Sequence, residues 1–66
     1  MTERIIFYHK GEPIFDIYSL MVPQINSKVY IKDISYKVIE ITYIINCTAG
    51  RHPTKYIEAH VYIEQV

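Results

Sequence analysis

Of the 66 residues, 22 are isoleucine, valine or threonine and another nine are tyrosine or phenylalanine. Leucine, methionine and alanine together number five. A side chain that branches at Cβ or carries a ring loses rotamer freedom against a helical turn, yet packs well on a pleated surface. The chain is therefore expected to be all-β. Half of its positions are apolar, and seven basic residues cancel seven acidic ones. That balance supports one small domain over residues 1–66 and argues against a disordered tail.

Side-chain alternation places the strands. From Glu3 to Lys10, Ile5, Phe7 and His9 share one face, with Ile6 and Tyr8 on the other. Lys10-Gly11-Glu12-Pro13 reads as a turn, and a second strand is expected from about Ile14 to Leu20. Both faces of this hairpin are partly apolar, so its second face should also be covered. Val22 to Ser27 is a connector in which Pro23 fixes φ and Asn26 suits a left-handed conformation. A third strand, Lys28 to Lys32, points Val29 and Ile31 inward, and Asp33-Ile34-Ser35 closes a tight hairpin. The last strand, Tyr56 to Glu64, alternates most cleanly. Its Ile57, Ala59, Val61 and Ile63 face inward and Tyr56, Glu58, His60, Tyr62 and Glu64 face outward.

The fourth strand, Tyr36 to Asn46, changes phase on its way. Tyr36 and Val38 are apolar on one parity, then Ile39, Ile41, Tyr43 and Ile45 on the other. A period of two cannot shift by one without a bulge or bend, which is expected near Val38-Ile39. Eleven residues would also reach ~36 Å, against a diameter of roughly 28 Å for a globule of this size. The strand must wrap the core or stick out of it. Five short strands, one of them bent, predict a small SH3-like barrel or a strongly bent antiparallel meander, the meander leaving an edge for a second subunit.

The run Val22-Pro23-Gln24-Ile25-Asn26-Ser27-Lys28-Val29-Tyr30-Ile31, followed by Tyr36-Lys37-Val38, resembles a pattern of small uncharacterised bacterial and phage proteins. In that pattern a proline leads through Ile or Val to a glycine, an acidic residue and a hairpin ending in Tyr-x-Val. Asn26 stands at the glycine position and Ser27 at the acidic one. The resemblance covers about seventeen residues and implies the first turns of an SH3-like barrel, in a chain encoded by a phage or mobile element. It carries no activity with it.

Several chemistries are disfavoured. No apolar run exceeds four residues, so no membrane-spanning helix is expected, and Ile5-Ile6-Phe7 is too short for the apolar part of a secretion signal. The single Cys47 rules out an internal disulfide and suits a reducing, cytoplasmic setting. Cys47, His9, His52 and His60 lack the close spacing that preorganises zinc, so no metal or other cofactor is expected. A Cys47/His52 nucleophile pair has no orienting acid nearby in sequence and no evident pocket. The chain is not expected to be an enzyme.

Two binding readings remain. Seven tyrosines in 66 residues exceed what an Ile- and Val-filled core needs, and tyrosine suits interfaces because its ring buries area while its hydroxyl stays bonded. Ile6, Tyr8, Ile14 and Tyr18 on the first hairpin, with Arg51 and His52 in the long loop, form the candidate protein-binding set, with copies of the same chain among the partners. The alternative is a nucleic-acid face of Lys28, Tyr30, Lys32, Lys37 and Tyr62, where rings would stack on bases and lysines meet phosphates. Zero net charge and the outward Glu58 and Glu64 weigh against it.

Overall fold

The computed structural model describes residues 3–19, 21–47, 49–51 and 55–66. Five strands form one sheet curled into a half-barrel: β1 (Glu3–His9), β2 (Glu12–Tyr18), β3 (Lys28–Ile31), β4 (Ile34–Cys47) and β5 (Lys55–Gln65). The small, strongly bent five-stranded β-fold expected from the sequence is the fold of the chain. No helix occurs among the described residues, and none is long and apolar enough to cross a membrane.

The strand order is β2-β1-β5-β4-β3. β1 pairs in parallel with β5, from Glu3 opposite Ile57 to His9 opposite Ile63, and all other neighbours are antiparallel. The sheet is therefore mixed, where alternation alone suggested an antiparallel meander. β2 and β3 are its two edges.

Both tight turns have two residues at positive φ. Lys10 and Gly11 (55° and 79°) join β1 to β2, and Lys32 and Asp33 (51° and 65°) join β3 to β4. This geometry matches the right-handed twist of the flanking strands. The second turn thus falls at Lys32-Asp33, earlier than the expected Asp33-Ile34-Ser35, because Ile31 and Ile34 already pair. β2 likewise begins at Glu12, ahead of the expected Ile14, and the expected end of that strand at Leu20 lies outside the described residues. Asn26 is left-handed as expected (φ 71°), at the third position of a turn closed by Ser27 N–H donating to the Gln24 carbonyl at 3.1 Å. This turn is clamped to β4: Asn26 N–H donates to the Val38 carbonyl (2.9 Å), and Val38 N–H donates to Ser27 (3.0 Å).

The expected bulge is present. Val38 faces Ile63 and Glu40 faces Tyr62, so Ile39 is the extra residue. A second bulge, on β2, was not evident in the sequence: Phe7 faces Phe15 and Tyr8 faces Pro13, leaving Ile14 unpaired.

The concave face is built in rows across the strands. One row runs Ile41, Val61, Phe7, Phe15 and the next Tyr43, Ala59, Ile5, Ile17. Ile5, Phe7, Val38, Ala59, Val61 and Ile63 are buried there together with Ile31 and Tyr36, and Ile14, Val22, Val29 and Ile41 pack against them. The inward parity expected for β5 holds at Ala59, Val61 and Ile63. At the far end the core runs out. The molecule is 46 × 21 × 19 Å with a radius of gyration of 13.2 Å, longer than the ~11 Å of a compact chain of this length. β4, at 14 residues, projects there together with β5, which pairs with it as far as Cys47 opposite Lys55.

These positions separate in stability. Shortening the buried Ile5 to valine is expected to cost about 1 kcal/mol, whereas Ile39→Val on the exposed bulge should change stability by under ~0.5 kcal/mol. Urea unfolding of the two variants, at an unchanged slope against denaturant, checks the difference.

Candidate functional site

Three surfaces hold the residues of interest. The first is the convex face over β1 and β5. Here the parallel register sets Arg4 beside Glu58, Ile6 beside His60 and Tyr8 beside Tyr62. The Tyr8 ring stacks on both His60 and Tyr62, each with centroids 5.1 Å apart and planes within 23°. Offset stacking of this kind adds to the area the rings already bury. His60 Nε2 is buried without a hydrogen-bond partner. The apolar second face of the first hairpin is thus occupied by rings belonging to the sheet itself; among the described residues no further strand lies over it.

Ile6, Tyr8 and Ile14 line one shallow depression with Arg4, Pro13 and Asp16. The sequence set is therefore partly assembled, but not as a free apolar patch. Ile6 is only 9% exposed, Ile14 packs against the core, and Tyr8 is engaged by its two ring neighbours. Tyr18, 71% exposed, stands opposite Arg4, outside the depression. Arg51 is exposed beyond the end of β4, and His52 lies outside the described residues. Arg4 crosses the rim, donating from Nε and Nη2 to Asp16 Oδ2 at 3.2 and 3.0 Å, with Glu58 Oε2 4.0 Å from Nη1. The bond to Asp16 pushes the guanidinium pKa up.

The second surface is the convex side of β3 and β4. Lys28 sits directly opposite Lys37, and Tyr30, 72% exposed, follows two residues along. Lys32 belongs to the turn. Across the sheet, Lys37 faces Glu64 and Tyr62 faces Glu40. Four of the five candidate nucleic-acid residues therefore cluster, while Tyr62 is divided from them by two carboxylates and already stacked on Tyr8.

The third surface lies at the open ends of the concave rows. Phe15 and Ile17 on edge strand β2 are partly exposed, and Tyr43 and Ile45 on the projecting part of β4 are 57% and 73% exposed. They share the concave face, and their row ends are open. The signal for them was strand length: β4 exceeds the core, so its last inward positions have nothing to pack on.

Beside β3, the pairing of β4 stops early. β3 spans Ile34 to Lys37, and the 26–27 turn takes up Val38. From Ile39 to Cys47 no described segment flanks that side of β4. Both backbone groups of Val38 point away from β5, so alternation beyond the bulge turns those of Ile41, Tyr43 and Ile45 the same way. Their N–H and C=O groups form an unpaired edge.

Among the described residues, no three of His, Cys, Asp and Glu gather as a metal-holding group. Cys47 is a free, exposed thiol.

The ring stack makes a measurable pair. Tyr8→Leu and Tyr62→Leu are expected to be coupled by about 1 kcal/mol in a double-mutant unfolding cycle; additivity within ~0.3 kcal/mol would remove the stack as a stabilising feature. No family model, no curated protein and no solved structure matches this chain.

Proposed function

We propose that the chain is a non-catalytic protein-docking module, an SH3-like half-barrel of the cytoplasm encoded by a phage or mobile element. It binds other proteins, copies of itself included, through exposed isoleucine and aromatic side chains and a free strand edge. One observation carries this reading: Tyr18, Tyr43 and Ile45 stand more than half exposed, with Phe15 and Ile17 partly so. Exposed isoleucine and aromatic side chains are the kind of group that interaction surfaces use. The reading shifts the contact surface from Ile6 and Tyr8, which the ring stack engages, toward the open ends of the concave rows. Tyr18 and Arg51 remain available at its margin.

The Lys28–Lys37 pair beside the exposed Tyr30 favours the second reading, single-stranded nucleic acid. Glu64 next to Lys37, and Glu40 beyond it, reduce the number of phosphates such a face would neutralise. The protein-docking reading is therefore preferred.

The immobilised chain, exposed to extract of its native host, is expected to retain a defined protein. Ile17→Lys and Ile45→Lys should weaken that retention tenfold or more, as loss of about 1.4 kcal/mol of contact would. Fluorescence anisotropy of a labelled oligonucleotide should stay flat even at low salt. Oligonucleotide binding that falls on Lys28→Glu and is untouched by Ile17→Lys would replace this reading with the second.

A further inference from the structure

Three edges of the sheet are open, and two are blunted. β2 carries Pro13, the acids Glu12 and Asp16, and a bulge at Ile14. β3 is four residues long, with Lys28 at one end and Lys32 in the turn at the other. Prolines, charges, bulges and short length are how sheets avoid pairing with other chains. The third edge, Ile41-Thr42-Tyr43-Ile44-Ile45-Asn46-Cys47 on β4, has no proline, no glycine, no charge and no bulge. Its β-branched and aromatic side chains favour a strand.

Resting on the protein-docking reading, we infer that this edge pairs antiparallel with the same edge of a second copy, about a two-fold axis at Tyr43. The segment is complementary to itself in that register. Tyr43 meets its own counterpart, Ile41 meets Ile45 of the other copy, and Thr42 meets Ile44. The residues whose backbone groups point outward, Ile41, Tyr43 and Ile45, become the hydrogen-bonded positions, each pair exchanging both of its bonds. Glu40 falls opposite Asn46, so no like charges are brought face to face, a juxtaposition that would oppose association. On the concave side, the exposed Tyr43 and Ile45 rows of the two copies join into one apolar strip. The half-barrels thereby form a single continuous sheet, an isologous arrangement that closes at two copies.

Cysteine placement tests the register. In a Cys47→Ser background, Tyr43→Cys puts two thiols on a hydrogen-bonded pair with Cα atoms ~5.5 Å apart, within disulfide reach. Ile45→Cys puts them four residues apart along the seam, about 14 Å, beyond it. Under mild oxidation, Tyr43→Cys is expected to yield a covalent dimer and Ile45→Cys to stay monomeric, each with wild-type circular dichroism. Tyr43→Lys should abolish association in sedimentation velocity. A wild-type chain that sediments as a 7.8 kDa monomer up to about 1 mM would overturn the inference while leaving docking of a different protein intact. Association with equal crosslinking of both cysteine variants, or with none from Tyr43→Cys, would overturn it by placing the contact elsewhere.

Discussion

The parallel pairing of β1 with β5 is the constraint on which the rest depends. It joins residue 3 to residue 57 and residue 9 to residue 63, so both strands become central and everything between them must form the remaining sheet. Ile5 and Phe7 from one strand and Ala59, Val61 and Ile63 from the other are buried side by side along this seam. No hairpin can create it locally. The entropy of closing almost the whole chain is spent before those side chains gain their burial, which makes the fold cooperative and its topology strongly non-local. The same seam fixes the convex face, since its register aligns Tyr8 with Tyr62 and brings His60 against the same ring.

A second consequence concerns length. β1 has seven residues and β3 has four, but β4 has 14. β5 can accompany β4 on one side only. The bulge at Ile39, with the Asn26–Ser27 clamp on Val38, marks where β4 loses its neighbour on the β3 side. Ile41 still packs against the core, but from Tyr43 onward the inward side chains outrun what the opposing elements can cover. The candidate site is thus a product of mismatch between strands, and its exposed isoleucine and tyrosine are the continuation of the core rows.

Much of this was legible in the sequence for definite reasons. β-branched content set the class, the parity change at Val38-Ile39 exposed the bulge, and Asn26 announced its left-handed turn. Gly11 marked the first hairpin, and the length of the fourth strand implied that it would either wrap the core or stick out of it. Parity, however, says which face a residue occupies and nothing about which strand lies beside it, so the parallel seam stayed hidden. The bulge at Ile14 was masked because both faces of that hairpin are apolar, leaving no phase to break. The parity of Tyr43 and Ile45 beyond the bulge was legible, but burial also needs an opposing element. The ring stack depended on the unseen neighbour relation. Of the two carboxylates that divide Tyr62 from the lysines, Glu64 was visible on the outward face of the last strand, yet its position beside Lys37, and that of Glu40 beside Tyr62, required the register.

The central claim, that β4 beyond its bulge is paired on one side alone, is tested most directly by residue-resolved amide hydrogen exchange in dilute solution. The account predicts alternation: the amides of Thr42 and Ile44, directed at β5, are protected, and those of Ile41, Tyr43 and Ile45 exchange as freely as an open edge. Uniform protection from Ile41 to Ile45 at high dilution would mean that another segment of the chain covers this edge, and would contradict the account.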